Sequence, residues 1–181
     1  MGVMILYRLG RWCYERHIPF VPQILYRVIF YLCGAIVPMS VEIGEGSTLA
    51  YGGSGVVLHG RARIGRNVVI APQVVLGGRC GHEGLPVIED DVHIGVGAKV
   101  LGPVRVGKGA RVGANAVVLH DVPAAAAVAG IPARVIRQNV PRCTCCAGGA
   151  ETRVDPAARV KPAVERWPAR LRGALRTSRI S

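Results

Sequence analysis

The chain is poor in aromatic residues, although half of it is apolar. Aromatic residues make up 5% of the 181 residues and hydrophobic residues 50%. So large an apolar fraction excludes a disordered chain, and the shortage of rings indicates a core of small and β-branched side chains. The 24 Gly and 12 Pro disfavour a long helical bundle, because both residues interrupt helix interiors. The length predicts one domain with appendages.

The sequence also lacks a long apolar run. The longest charge-free apolar stretch, residues 28–41, contains Pro38 and is shorter than the roughly 20 residues that a bilayer span needs. Arg8, Arg11 and Arg16 fall where a secretory signal would need an uninterrupted apolar segment. The six cysteines show no secreted framework, which fits a reducing compartment. We therefore expect a cytoplasmic protein.

Acidic residues are scarce, and the imbalance lies at the two ends of the chain. The sequence has 23 Lys and Arg against 11 Asp and Glu. Basic and acidic residues number four and one in residues 1–40, eight and seven in residues 41–133, and eleven and three in residues 134–181. The basic ends are either solvated or suited to phosphate groups. No nucleic-acid motif accompanies the charge, so we expect no nucleic acid partner.

The middle of the chain carries a repeat of six residues. Branched aliphatic residues occupy one phase of that repeat, which His82 alone interrupts: Leu58, Ile64, Ile70, Leu76, Ile88, Ile94, Val100, Val106, Val112 and Val118. Gly often follows the aliphatic residue, and Ala or Val lies four positions after it. A period of six fits neither a helix nor an ordinary strand. It predicts a parallel β-helix with one short strand per hexad and the aliphatic side chains stacked inside.

Two stretches carry a resemblance to a known family. The run GVGAKVLGPVRVGKGARVGANAVVLHDVP (95–123) and the closing AGIPARVI (129–136) resemble the hexapeptide-repeat acyltransferases, most closely the serine O-acetyltransferase branch. The resemblance implies a left-handed parallel β-helix with three hexads per triangular coil. We expect an all-β solenoid over residues 41–136, after a short N-terminal helical segment (1–40) and before a basic, flexible C-terminal tail (137–181).

The resemblance also implies an enzyme. Relatives of this kind transfer an acetyl group from acetyl-CoA to a hydroxyl, and O-acetylation of serine serves cysteine biosynthesis. It implies a homotrimer that binds CoA between subunits. Small residues would form the CoA slot, although turn chemistry alone can also explain them: Gly77, Gly78, Gly95, Gly97, Ala98, Gly113 and Ala114. Arg134 and Arg137 would hold the CoA phosphates.

The sequence departs from the family at its usual acid-base positions. The Asp and His of the family's first motif are replaced by Ile36 and Pro38. Its Asp-His pair is replaced by Ala50 and Tyr51, and the His of its second loop by Leu85. The chain is therefore either a catalytically silent relative, serving as a scaffold, or an enzyme that uses other residues.

Two histidines offer a replacement. His59 follows the segment GVVL, and His82 lies in GGRCGHEGLP, where a loop should leave the solenoid. We expect His59 to act as the general base and His82 as its partner across the subunit interface, with the roles interchangeable. Glu83 is either an orienting carboxylate or simply solvated. We expect His93 and His120 to be surface residues.

The sequence does not identify the acceptor of the acetyl group, because the missing residues include those implicated in holding serine. A hydroxyl of a cell-envelope or exopolysaccharide sugar is the alternative. The N-terminal segment has helical spacing at Tyr26, Ile29, Phe30 and Cys33, which predicts packing on the solenoid or on another subunit. Its arginines and aromatic residues also allow contact with an anionic membrane at the inner face.

We expect no metal site. His59, His82 and His93 do not reproduce the spacing of a zinc triad. Cys143, Cys145 and Cys146 lie together but have no nearby fourth ligand.

Overall fold

The computed structural model describes residues 2–141, so the cysteine cluster and the tail from residue 142 lie outside the described residues. Two helices come first, α1 (Gly2–Glu15) and α2 (Val21–Cys33), and fourteen short strands follow. The strands are β1 (Glu42–Ile43), β2 (Thr48–Leu49), β3 (Val57–Leu58), β4 (Arg63–Ile64), β5 (Val69–Ile70), β6 (Val75–Gly77), β7 (Val87–Ile88), β8 (His93–Ile94), β9 (Lys99–Leu101), β10 (Arg105–Val106), β11 (Arg111–Val112), β12 (Val117–Val118), β13 (Ala127–Ala129) and β14 (Arg134–Arg137).

The strands form three sheets, which are the three faces of a solenoid. Face A contains β3, β6, β9 and β12, face B contains β1, β4, β7 and β10, and face C contains β2, β5, β8, β11, β13 and β14. From β1 to β12, consecutive strands visit the three faces in turn. The predicted parallel β-helix with three hexads per coil is therefore confirmed. All described strand pairs are parallel except β13 with β14.

The register on face C shows where the coil departs from three hexads. His93 pairs with Arg111, which lies 18 residues further along the chain. Thr48 pairs with Val69, 21 residues on, because the first loop (residues 50–55) contains a 3₁₀ turn and adds three residues. Val69 pairs with His93, 24 residues on, because the second loop (residues 78–86) adds the length of one hexad. The aliphatic repeat therefore continues in the same phase after its one interruption at His82. The last coil is shorter, since Arg111 pairs with Ala127.

The aliphatic repeat fills the interior, as the sequence predicts. All ten repeat positions from Leu58 to Val118 are at most 4% exposed. Except after Leu76, the residue four positions after each one is a buried Ala or Val, for example Ala98, Ala110 and Ala116. A triangular interior built from two-residue strands has room for aliphatic and methyl groups but not for large rings. This packing explains the shortage of aromatic residues in the solenoid.

The glycines that follow the aliphatic residues allow the coils to stack. A Cβ atom on Gly65 would lie 2.7 Å from the carbonyl carbon of Glu89, and one on Gly107 would lie 2.6 Å from the nitrogen of Ala124. Neither glycine has a positive φ angle. The neighbouring coil's backbone, and not a turn conformation, therefore requires glycine at these positions.

The two helices pack against the first coil. The Tyr7 hydroxyl is buried and donates a hydrogen bond to the carbonyl of Val41 at 2.6 Å, and the Arg11 guanidinium donates to the same carbonyl. Burial raises the pKa of the Tyr7 phenol, which stays a neutral donor. Gly34 ends α2 in the left-handed conformation. Ile36 then forms a parallel bridge with Val57, so the first rung begins soon after α2.

The predicted packing of α2 is confirmed for three of its four residues. Ile29 is fully buried in the core that the helices share with the solenoid, and Tyr26 and Cys33 pack against that core. Phe30 is 42% exposed, so it does not pack on the solenoid of its own chain. Its ring lies edge-on to Tyr31, with 5.6 Å between centroids. Within residues 2–141, no helix combines the length and hydropathy that crossing a membrane requires.

The last segment of the described chain covers the end of the solenoid on each face. Val122 bridges to Val106 on face B, and Ala133 donates a hydrogen bond from its nitrogen to the carbonyl of Val117 on face A. On face C, β14 turns back and pairs antiparallel with β13.

Candidate active site

The two loops leave the solenoid at different corners. The first loop connects β2 on face C to β3 on face A. The second loop connects β6 on face A to β7 on face B. The loops therefore lie at opposite edges of face A.

The structure places His59 at the corner from which the second loop leaves. His59 directly follows β3, and Leu58 pairs with Leu76 in β6. The His59 nitrogen donates a hydrogen bond to the Leu76 carbonyl at 2.9 Å. His59 is therefore the neighbour of Gly77, where the second loop begins. One chain thus brings His59 and the loop that carries His82 to the same corner, although we expected the two to meet across subunits.

The ring of His59 is exposed and has one hydrogen bond. Its Nδ1 accepts from the backbone N–H of Arg61 at 3.2 Å. A neutral imidazole that accepts at Nδ1 carries its proton on Nε2. In this tautomer, His59 is a hydrogen-bond donor through Nε2. Nε2 then has no free lone pair with which to accept a proton.

The ring of His82 has the opposite arrangement. Its Nδ1 lies 3.3 Å from the carbonyl oxygen of Cys80, which can only accept, so Nδ1 carries the proton. The Nε2 lone pair of a neutral His82 is then free to take a proton. A tight turn supports the ring, because the His82 nitrogen donates to the Arg79 carbonyl at 3.1 Å. His82 is exposed at this turn.

The second loop packs onto the following coil and does not extend freely from the solenoid. A Cβ atom on Gly84 would lie 2.8 Å from the Cβ atom of Pro103, and one on Gly102 would lie 3.2 Å from the Cβ atom of Arg79. The close contacts at both ends of the loop restrict its position and therefore the position of His82.

Tyr51 in the first loop is a candidate that the sequence did not reveal. Its ring is 88% exposed, and its backbone is left-handed, with φ 51° and ψ 37°. Aromatic residues rarely adopt that conformation, and such strain is found preferentially at functional sites. The sequence showed only the loss of a family residue at this position. The glycines that follow, Gly52 and Gly53, also have positive φ angles and were the available signal.

The small residues predicted to form the CoA slot divide between two corners. Gly77 and Gly78 lie at the corner of faces A and B, whereas the remaining five lie at the corner of faces C and A. A single solenoid therefore cannot bring all seven into one groove. Ala98 is fully buried in the interior row, so its side chain cannot line a slot, and this part of the prediction is corrected.

The remaining glycines differ in what the fold requires of them. A Cβ atom on Gly95 would lie 2.7 Å from the nitrogen of Ala114, and one on Gly113 would lie 3.0 Å from the Cβ atom of Ala129. Gly97 has a φ of 69°. The fold therefore requires glycine at Gly95, a left-handed turn favours it at Gly97, and Gly113 has little room. Turn chemistry does not explain Gly95 or Gly113, because neither has a positive φ angle.

Gly77 and Gly78 have no such requirement. A Cβ atom on Gly77 would have its nearest neighbour at 3.8 Å, and one on Gly78 at 3.6 Å. Both distances are ordinary van der Waals contacts, and neither residue has a positive φ angle. The fold of one chain does not explain this pair of glycines, so they are the strongest candidates for a slot.

The arginines predicted for the CoA phosphates lie in β14. Arg134 pairs with Ala129 and Arg137 with Ala127, and both arginines are exposed on face C.

His93 is half-buried on the outer side of β8, next to the fully buried Ile94, so it is only in part the surface residue that we expected. It lies on β8 beside Arg111 on β11. Burial and, to a smaller extent, the Arg111 charge lower its pKa. Arg111 also donates a hydrogen bond to the carbonyl of Pro141. His120 is exposed, as expected. Among residues 2–141, no three His, Cys, Asp or Glu side chains form a group that could hold a metal ion.

Comparison with known proteins agrees with this architecture. Residues 86–120 match the family model described as bacterial transferase hexapeptide (six repeats). The fold and this match show that the chain contains a hexapeptide-repeat transferase domain. The serine acetyltransferase of Bacillus licheniformis is 39% identical over 135 residues, which cover 74% of this chain and 62% of that protein. The serine acetyltransferase of Helicobacter pylori is 34% identical over 138 residues, which cover 75% of this chain and 80% of that protein.

A solved structure extends the comparison. The serine acetyltransferase of Brucella abortus strain S19 in complex with coenzyme A matches with a TM-score of 0.72 and 31% identity, over 77% of this chain and 56% of that one. The chain belongs to the serine acetyltransferase family. It matches less than two thirds of the length of the Bacillus and Brucella proteins.

Proposed function

We propose that the protein is an acetyl-CoA-dependent O-acetyltransferase, with L-serine as the first acceptor to test. The products would be O-acetylserine and CoA. The family membership supports this activity, and the Brucella relative was solved with coenzyme A. The observation that carries the proposal is the corner of faces A and B, where His59, the unrestricted Gly77 and the loop with His82 meet.

We assign the general base to His82. Its Nε2 takes the proton from the acceptor hydroxyl as that oxygen attacks the thioester carbonyl carbon. The carbon–sulfur bond then breaks, and the proton passes from Nε2 to the departing CoA sulfur. The Cys80 carbonyl accepts from Nδ1 and so stabilises the imidazolium that forms in between.

His59 has the complementary role in this proposal. Its Nε2–H donates to the oxygen of the thioester carbonyl as negative charge develops there. The Arg61 N–H at Nδ1 holds the ring in the tautomer that this role needs. The sequence left the roles of the two histidines interchangeable, and the hydrogen bonds favour His82 as the base.

A homotrimer would complete the slot. The candidate slot residues lie at two edges of face A, at Gly77 and Gly78 on one side and at Ala114 on the other. Threefold symmetry would bring one edge of a subunit against the other edge of its neighbour. CoA would then lie between subunits, with Arg134 and Arg137 available for its phosphates.

We propose a cytoplasmic enzyme that works at the inner face of a membrane.

A sugar hydroxyl of the cell envelope or an exopolysaccharide is the second candidate acceptor. The exposed ring of Tyr51 favours it, because Tyr51 occupies a position where the family's own residues help to hold serine. An aromatic face can cover the apolar face of a sugar ring, whereas a small zwitterion gains little from it.

A thiol-release assay with acetyl-CoA separates these possibilities. The acceptors are L-serine and a panel of sugars, and the variants are His82→Gln, His59→Gln and the exposed control His120→Gln. We expect His82→Gln to lower kcat by about 10²- to 10⁴-fold and His59→Gln by about 10²- to 10³-fold. The control should retain full activity.

Each outcome decides one part of the proposal. Full activity of both histidine variants would remove the two-histidine mechanism. Turnover with sugars but not with serine would identify a sugar, and not serine, as the acceptor. No turnover with any acceptor would favour a non-catalytic scaffold.

A further inference from the structure

We infer that the outward side of the α1–α2 hairpin is a docking surface for a bilayer that contains anionic lipid. The inference rests on the proposed location at a membrane and identifies the surface and the lipid chemistry. We call the following residues the hairpin surface: Ile5, Arg8, Leu9, Trp12 and Arg16 from α1 and its end, and Phe20, Ile24, Arg27 and Tyr31 from the start and outer face of α2.

α1 has apolar residues on two opposite faces. Val3 and Tyr7 are buried against the solenoid. Ile5, Leu9 and Trp12 follow the spacing i, i+4, i+7 on the opposite side and are exposed. A helix that packs one face into a core normally has a polar outer face. The described chain therefore leaves an apolar face of α1 without a partner.

α2 repeats this arrangement. Ile29 is fully buried, whereas Phe20, Ile24 and Tyr31 form an exposed row at the spacing i, i+4, i+11. Arg27 lies in the same row, one turn after Ile24. The six large apolar side chains of the hairpin surface are between 47% and 81% exposed. Six such side chains on two adjacent helices exceed the scattered exposure that is normal on protein surfaces.

The charge of the hairpin surface selects the partner. Its charged residues are Arg8, Arg16 and Arg27, and it has no carboxylate. Glu15 is the only acidic residue before Glu42 in the sequence, and it pairs with Arg11 at 2.9 Å. Apolar and aromatic side chains interspersed with arginines match the interface of a bilayer with negative headgroups.

Trp12 and Arg16 form a unit suited to the headgroup region. The Arg16 guanidinium carbon lies 4.0 Å from the centroid of the Trp12 ring. The ring can enter the boundary of the acyl chains while the cation above it contacts phosphate.

A second copy of the chain fits this surface less well. Pairing the hairpin surface with itself would bring Arg8, Arg16 and Arg27 of two copies together without a carboxylate between them. Like charges across an interface disfavour association. An anionic bilayer can take up the apolar rows in its acyl region and contact the three arginines through its phosphate groups.

Cosedimentation of the full chain with vesicles tests the inference. The vesicles are phosphatidylcholine alone and phosphatidylcholine mixed with phosphatidylglycerol. The first variant is Arg8→Gln/Arg16→Gln/Arg27→Gln, and its matched control removes three exposed charges from the solenoid, Arg63→Gln/Arg66→Gln/Lys108→Gln. A further variant, Leu9→Ser/Ile24→Ser, removes apolar area at exposed positions, so the fold is retained.

We expect the wild type to bind the mixed vesicles and to bind phosphatidylcholine alone much more weakly. Each arginine at a membrane surface contributes about fivefold, so the hairpin variant should bind about 100-fold more weakly than the wild type. The solenoid control should lose much less. The serine variant should weaken binding to both kinds of vesicle.

Three results would overturn the inference: no vesicle binding by the wild type, equal losses in the hairpin variant and the solenoid control, or no loss in either. Self-association that Leu9→Ser/Ile24→Ser abolishes, without vesicle binding, would assign the surface to a second copy. Thiol release with soluble acceptors is measured in parallel and should be equal in wild type and hairpin variant. Vesicle binding without thiol release would remove the proposed activity and leave the docking surface in place.

Discussion

Gly77→Ala and Gly95→Ala form a matched pair that separates a glycine kept for function from one required by packing. Both residues lie in or directly after a short strand, and both substitutions add one methyl group. At Gly95, the added Cβ would lie 2.7 Å from the Ala114 nitrogen and 2.9 Å from two further backbone atoms of the next coil. At Gly77, the nearest atom would be 3.8 Å away.

The expected difference in stability follows from these distances. The atoms near Gly95 belong to backbone that strand pairing fixes, so the coils must move apart, and overpacking of this kind costs about 1–3 kcal/mol. Replacing Gly by Ala also lowers the conformational entropy of the unfolded chain, which stabilises the folded state by about 0.4–1 kcal/mol. This contribution is common to both variants and cancels in the comparison. We expect the Tm of Gly95→Ala to lie about 3–9 °C below that of Gly77→Ala, at roughly 3 °C per kcal/mol.

The expected difference in activity has the opposite direction. A methyl group at Gly77 would enter the slot proposed for acetyl-CoA, and misplacing a substrate by about 1 Å can cost on the order of 10²-fold in rate. Thermal unfolding and thiol release measure the two properties on the same preparations. Equal Tm values would refute the stacking role of Gly95. Unchanged kcat/KM for acetyl-CoA in Gly77→Ala would refute the slot.

Two further predictions concern buried polar groups. The hydroxyl of Ser47 donates to the Gly65 carbonyl at 2.7 Å and accepts from the Val68 nitrogen at 3.0 Å, so Ser47→Ala should lower the unfolding free energy by about 1–3 kcal/mol in urea titrations. An equal loss in the exposed control Ser54→Ala would contradict this role. The pKa of His93 is lowered in the folded chain, so the unfolded chain binds its proton first as pH falls. The Tm should therefore decline as the pH falls below about 6.5, and His93→Gln should reduce that decline. The same dependence of Tm on pH in wild type and His93→Gln would contradict this prediction.

The sequence was sufficient for the architecture because the solenoid depends on local, periodic burial. Ile88 and Ile94 lie in the phase that Leu76 sets, since the second loop adds one full hexad. The interior positions follow from that phase alone. Phe30 could not be predicted in the same way, because helical spacing does not show which residues of α2 the solenoid covers.

The chemistry of the site was less accessible from the sequence. Which nitrogen of His59 or His82 carries the proton depends on backbone groups two residues away, Arg61 and Cys80, and their orientation is a property of the folded turn. Glycine likewise has several causes that look identical in sequence. Gly95 is required by the next coil and Gly77 is not, and only the distances between coils distinguish them.

A stack of identical rungs has no intrinsic stop, because each rung presents the same unpaired edge to the next. In this chain, α1 is fastened through Tyr7 over one terminus of the stack, and the segment from Val122 to β14 occupies the other. Within residues 2–141, the column therefore ends in a helix on one side and in an antiparallel strand on the other, and neither offers the parallel rung that the interior coils offer one another. This arrangement disfavours end-to-end growth of separate molecules into fibrils.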